Sequence, residues 1–144
     1  MSEYKITCCS TVDLTASYFE EKNLPFVCYH FHMDGVDYPD DLGKSMAFDE
    51  FYKRISEGSE PTTAQVNVQQ YTELFEPILK EGKDLLHLTL SSGITGSINS
   101  ANIAKEQLEE KYPERKIFIM DSLAASSGYG MLVDAVLENQ EKGF

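Results

Sequence analysis

Four hydroxyls and two glycines crowd into the seven positions Ser91-Ser92-Gly93-Ile94-Thr95-Gly96-Ser97. The apolar run Leu85-Leu86-His87-Leu88-Thr89-Leu90 leads into them. Out of them comes a helical pattern carrying Ile98, Ala101, Ala104 or Lys105, Leu108 and Tyr112 on one side. Strand, small polar turn and helix is the arrangement that directs free backbone N–H groups at an anion. The hydroxyls of Ser91, Ser92, Thr95 and Ser97 add donors that rotate to suit a ligand. The plainer use of the same residues is a strand-to-helix turn with a serine cap.

Three further polar turns bear on the choice. Ser10-Thr11 follows a short first strand, Asp121-Ser122 precedes Ser126-Ser127-Gly128, and Thr62-Thr63 precedes a helix. No lysine or arginine lies in any of them. Neutral donors of this kind suit one carboxylate or phosphate oxygen and suit a triphosphate poorly. Neither a Walker-type lysine loop nor a Gly-x-Gly-x-x-Gly fingerprint is present. Serine hydrolysis fits badly, because Gly-x-Ser-x-Gly is absent and His87 lies inside its strand, away from the turn. His30 and His32 share one strand face and could pair on a metal, but read better as ordinary polar residues. Asp34, Asp37, Asp40 and Asp41 miss the EF-hand spacing and read as solvated turn carboxylates. Cys8, Cys9 and Cys28 form neither a disulfide framework nor a metal-finger spacing, and read as reduced and mostly buried. No metal and no cofactor are expected.

The elements that must position these turns follow from periodicity. The strand at 4–9 runs into a helix at about 14–22, capped by Ser10-Thr11-Val12-Asp13. A second strand spans 26–33, and Asp34-Gly35 turns it into a short return at Val36-Asp37-Tyr38. A helix at 48–56 puts Phe48, Phe51, Tyr52 and Ile55 on one face. Residues 58–65 form a loop, and a helix follows at 68–80, kinked or shortened by Pro77 and ended by Gly82. Strands at 85–90 and 116–120 are nearly all apolar, as strands buried on both faces of a parallel sheet are. The last helix spans about 126–141, with Tyr129, Leu132, Val133, Val136 and Leu137 inward. The alternation predicts one three-layer α/β/α domain over 1–144, with a mostly parallel sheet of about four strands. Ligands in such a sheet collect beyond the carboxyl ends of the strands.

Bulk properties narrow the partners. The chain has 144 residues, 42% hydrophobic and 25% charged, the balance of an ordinary globular protein. With 24 acidic and 12 basic side chains its formal net charge is -12. That surface repels nucleic acid and anionic lipid. No run of transmembrane length and no signal-peptide pattern is seen, so cytoplasm is the default location and membrane insertion is not expected. Gly143-Phe144 is compatible with a cut inside a longer protein.

Four segments together resemble the amino-terminal half of DegV-family proteins, the fatty-acid-binding subunits of bacterial fatty-acid kinase. They are Ile6-Thr7-Cys8-Cys9-Ser10-Thr11-Val12-Asp13-Leu14, Asp34-Gly35-Val36-Asp37-Tyr38, Pro61-Thr62-Thr63-Ala64-Gln65, and residues 90–101 with Asp121-Ser122 and Ser127-Gly128-Tyr129-Gly130. Cys9 departs from the family, which has aspartate there. The resemblance implies a long-chain fatty acid in a tunnel, its carboxylate held by the hydroxyls of Thr62 and Ser92. Thr63, Ser91, Gly93 and Thr95 would line that site. It also implies that the chain is itself non-catalytic, with a kinase catalytic subunit as partner, and a second domain, beyond this chain, that closes the tunnel. Two other readings use the same residues: an anion- or phosphate-binding domain for another small ligand, or a module that docks a partner.

Overall fold

The computed structural model describes residues 3–144; the first two residues of the expected 1–144 domain lie outside the described residues. The strands are β1 (Tyr4–Cys9), β2 (Phe26–Val27), β3 (His30–Met33), β4 (Val36–Pro39), β5 (Thr62–Ala64), β6 (Asp84–Thr89) and β7 (Ile117–Asp121). The helices are α1 (Ala16–Glu21), α2 (Phe48–Ser56), α3 (Val68–Lys80), α4 (Ser97–Lys111) and α5 (Ser126–Glu141). A 3₁₀ turn, Ser10–Val12, follows β1.

Four strands form the expected parallel sheet, in the order β2-β1-β6-β7. Helices flank it. α3 packs on α4 and on β6, while α1 and α5 are joined by Tyr18 to Asp134 and by Lys22 to Glu141 at 2.7 Å. Ile6, Leu85, Leu88 and Ile117 of the sheet, Tyr71 and Phe75 of α3, and Val133 of α5 are fully buried between the layers. No helix among the described residues is long and apolar enough to cross a membrane.

A second, three-stranded antiparallel sheet, β4-β3-β5, departs from the expectations. The strand foreseen at 26–33 is two strands in two sheets, with Cys28 and Tyr29 between them. Tyr29 is held at the break, its N–H donating to Ser10 Oγ at 3.0 Å and its hydroxyl meeting Ser97 Oγ at 2.8 Å. The loop foreseen at 58–65 contains β5, which pairs with β3 at Phe31 to Thr63. Three residues are too few for a periodic signal, and their partner is 32 positions away in register.

Smaller corrections have equally local causes. The first helix starts at Ala16 because Thr15, not residues 10–13, supplies its cap, accepting from Tyr18 N–H at 3.2 Å. α3 runs through Pro77 to Lys80. Its start is fixed by a capping box of Asn67 and Gln70, and a proline this near the end removes only one late hydrogen bond. β7 is an edge strand rather than a strand buried on both faces, with Phe118 58% and Met120 41% exposed.

Candidate functional site

The antiparallel sheet, α2 and the turns beyond the carboxyl ends of β1 and β6 border a cleft of about 470 Å³. α2 has a polar and an apolar face, yet none of its residues is buried. Its apolar side chains Phe48, Phe51 and Tyr52 wall the cleft instead, with Phe31 of β3 packed edge-on against Phe51 at a centroid distance of 5.2 Å. Met46, Leu90 and Ile94 extend the apolar lining. Phe48, Tyr52 and Ile94 remain 60%, 67% and 65% exposed, so the cleft lies open to solvent along large apolar side chains.

The polar part of the lining comes from several elements. Thr63, Ala64 and Gln65 arrive on and just after β5, Thr95 from the turn before α4, Thr11 from the 3₁₀ turn, and Tyr29 from the break between β2 and β3. Gln65 lies against the start of α4, its Oε1 about where a Cβ on Gly96 would meet it at 3.3 Å. Ser97 N–H donates to Thr95 Oγ1 at 3.2 Å. That bond occupies an oxygen lone pair and leaves the hydroxyl proton to donate, with the Tyr29 phenol already one acceptor in reach.

The expected free N–H groups of the 91–97 turn are largely engaged within the protein. Ser91 N–H donates to Ala124 O at 3.1 Å, Ser92 N–H to Asp121 Oδ1 at 3.2 Å, and Gly93 N–H to Ser91 Oγ at 3.2 Å. Ile94 and Thr95 N–H both donate to Ser91 O, at 3.0 and 3.2 Å. Hydroxyls are therefore the donors this turn has to offer. Asp121 sits beside Ser92, and hydrogen bonds from the Ser92 hydroxyl, then the Leu123 and Ser92 backbone, lower its carboxyl below the ordinary range.

Of the residues singled out in the sequence, Thr63 and Thr95 line the cleft, whereas Thr62, Ser91, Ser92 and Gly93 are not among its walls. Thr62 and Thr63 are adjacent on a strand and alternate sides. The aromatic wall, Tyr29 and Asp40 were not foreseen at the site, Thr11 was noted only within the polar turn Ser10-Thr11, and His30 only as a possible partner of His32 on a metal. His30 Nδ1 and Asp37 Oδ2 are 2.7 Å apart, so His30 pairs with a carboxylate rather than with His32. Among the described residues no group of three metal-ligating side chains converges. Asp40 is not a solvated turn carboxylate: burial raises its carboxyl above the ordinary range, with the Ser10 hydroxyl opposing. An apolar helix face facing the cleft could have flagged the aromatic wall, but periodicity cannot say whether such a face meets core or ligand.

Behind the cleft a buried polar chain runs into the core. Ser97 Oγ lies 2.8 Å from Tyr29 OH and 2.9 Å from Tyr71 OH. Tyr71 OH is 3.8 Å from Cys9 Sγ, which is 3.7 Å from His87 Nε2, and His87 Nδ1 meets Thr7 Oγ1 at 2.8 Å. Burial raises the Cys9 thiol and lowers the His87 imidazole, to about 3, so both are held neutral.

The sequence model of a family described as "Uncharacterised protein, DegV family" matches residues 3–143. A DegV domain-containing protein of Clostridium perfringens is 34% identical over 143 residues, covering 99% of this chain and 49% of that protein. A solved fatty acid (stearic acid)-binding protein from Eubacterium ventriosum superposes with a TM-score of 0.89 at 29% identity, covering 98% of this chain and 48% of its own. The fatty acid kinase (Fak) B3 protein of Streptococcus pneumoniae, solved with linoleic acid, shares the fold at a TM-score of 0.79. It is 22% identical and is covered over 99% of this chain and 50% of its own. The chain thus spans about half the length of the relatives it matches.

Proposed function

The chain belongs to the DegV family, and on that premise we propose that it binds a long-chain fatty acid, the alkyl tail along the aromatic wall and the carboxylate at the hydroxyl-bearing part of the cleft. The observation that carries this reading is the composition of one cavity. Phe31, Phe48, Phe51 and Tyr52 line it together with the neutral donors Thr63 and Thr95, and no lysine or arginine among the described residues does. Such a cavity takes its affinity from apolar contact, about 0.8 kcal/mol for each methylene buried, and uses the hydroxyls to fix orientation. The stearic acid carried by the Eubacterium ventriosum protein is a ligand of this class.

The head-group contacts assigned to Thr62 and Ser92, with Thr63, Ser91, Gly93 and Thr95 around them, remain part of the proposal and rest on the family resemblance. Thr63 and Thr95 have the additional support of lining the cleft. The open side, where Phe48, Tyr52 and Ile94 face solvent, is on this reading covered by the half that the longer relatives carry in addition. The bound acid is then presented to a kinase subunit that phosphorylates the carboxylate, in keeping with the fold shared with the Fak B3 protein. The chain itself contributes binding and orientation and no catalytic group.

Organic extraction of the purified protein followed by mass spectrometry tests the reading. Recovery of a fatty acid, and binding of added stearate, are expected. Recovery of none, with a phosphate held instead and no uptake of stearate, would refute it. Thr63→Val with Thr95→Val, and separately Thr62→Ala with Ser92→Ala, should weaken binding of the acid more than of its methyl ester. Equal losses for both ligands would undo the head-group assignment.

A further inference from the structure

Thr11 carries the one buried side-chain polar atom among the described residues that has no hydrogen-bond partner, its Oγ1. The residue sits in the 3₁₀ turn at the carboxyl end of β1 and lines the cleft beside the other sheet-end residues Leu90 and Thr95. Three other hydroxyls at this end of the fold have partners within the chain. Ser10 Oγ accepts from Tyr29 N–H at 3.0 Å, Thr95 Oγ1 accepts from Ser97 N–H at 3.2 Å, and Tyr29 OH meets Ser97 Oγ at 2.8 Å. Buried hydroxyls in folded proteins are nearly always partnered, and an exception in the wall of a cleft asks for an acceptor from outside the chain.

We propose that Thr11 is a further ligand of the bound acid, its hydroxyl donating to a carboxylate oxygen at the same end of the cleft as Thr95. An ionised carboxylate only accepts, and a threonine hydroxyl whose lone pairs meet nothing is free to donate. A 120° step about χ1 moves the hydroxyl to another staggered position with the backbone unchanged, so the donor can turn toward the cleft. The inference rests on the lipid-binding reading and adds a residue to it that the Thr62 and Ser92 assignment does not contain.

The test compares Thr11→Val and Thr11→Ser with the wild-type chain, using stearate and methyl stearate as ligands and thermal unfolding of the ligand-free protein as a second readout. Thr11→Val keeps the shape and removes the donor. Its Kd for stearate should rise about ten-fold, the size of one lost hydrogen bond to a charged group. Methyl stearate binding should stay within a factor of about two, since the ester lacks the charge that strengthens the bond. The ligand-free midpoint should hold or rise, because an unpartnered buried hydroxyl has been removed, whereas a structural role would lower it. Thr11→Ser should bind stearate as the wild type does. Unchanged stearate binding by Thr11→Val, or equal losses of acid and ester, overturns the Thr11 assignment alone. A wild-type chain that binds neither ligand overturns the lipid reading and this inference together.

Discussion

A Cβ placed on Gly130 of α5 would lie 2.7 Å from the carbonyl oxygen of Val12 and 3.2 Å from Leu14 Cδ2. Helix and 3₁₀ turn therefore meet backbone to backbone, and Val12 is fully buried at the contact. Since that turn carries Thr11 into the cleft, the approach sets the depth of the cleft wall. Gly130→Ala should destabilise the protein by about 2 kcal/mol, as overpacking of a buried contact does. Gly128→Ala, whose Cβ would meet only Ala124 Cβ at an ordinary 3.5 Å, should be neutral or stabilising by helix propensity. Urea unfolding of the two variants checks the contrast, and equal behaviour would contradict it.

The shared hydroxyl of Ser97 should matter more than either phenol that meets it. Ser97→Ala leaves both Tyr29 OH and Tyr71 OH without that partner, at 2.8 and 2.9 Å in the intact protein. Tyr71→Phe or Tyr29→Phe leaves Ser97 one remaining partner. Each buried polar group left unsatisfied costs about 1–3 kcal/mol, so Ser97→Ala is expected to be the most destabilising of the three in chemical denaturation. A loss no larger than that of Tyr71→Phe would show that the chain of hydroxyls is not coupled.

Truncating the aromatic wall should separate affinity from stability. Phe48 and Tyr52 are mostly exposed, so Phe48→Ala and Tyr52→Ala should shift the unfolding free energy by less than about 1 kcal/mol. Their effect on binding should grow with chain length of the acid, because each methylene that loses its contact forfeits up to about 0.8 kcal/mol. A series of saturated acids from short to long, titrated against each variant, checks this. A constant loss across the series would place the tail elsewhere.

Stability should fall with acidity in a window set by His87. Burial holds its imidazole neutral in the folded protein down to about pH 3, whereas the unfolded chain takes up a proton near its ordinary pKa of about 6.5. Below that value the unfolded state binds more protons than the native one, so the unfolding free energy rises with pH and is lost as pH falls. One such proton gives a slope approaching about 1.4 kcal/mol per pH unit as pH falls from about 6 to about 5, above the ordinary carboxylate pKa values of about 4. Denaturation curves across that window should show the slope, and His87→Gln should flatten it. An unchanged slope in the variant would assign the effect to other groups.

Legibility in the sequence followed the range of the interactions. α2, α3 and α5 were readable nearly to the residue, because Phe48, Phe51, Tyr52 and Ile55, or Val68, Tyr71, Phe75 and Ile78, repeat at the helical period and each helix is long enough for the period to register. The four-strand parallel sheet followed from alternation of strands and helices. The second sheet did not, since β3 finds β5 through a pairing that leaves no local mark in Pro61-Thr62-Thr63-Ala64-Gln65. At the site the hydroxyl-rich turns were visible, but Asp40 passed for a turn carboxylate and Tyr29 for one more strand residue. What distinguishes them is burial against residues far away in the chain. No local pattern encodes that.

β1 pairs with β6 from Tyr4, beside Asp84, to Thr7, beside His87, and everything that forms the second sheet lies in the chain between them. Ribosomal synthesis therefore completes the hairpin of β3 and β4 and the aromatic α2 well before the strand that closes the parallel sheet exists. Closing a loop of this size carries its entropic cost before any pairing repays it, which slows folding. During that interval Phe31, Phe48, Phe51 and Tyr52 are displayed without the wall that residues 90–95 supply. The nascent chain thus displays these aromatic side chains before the strand that completes the parallel sheet has been made.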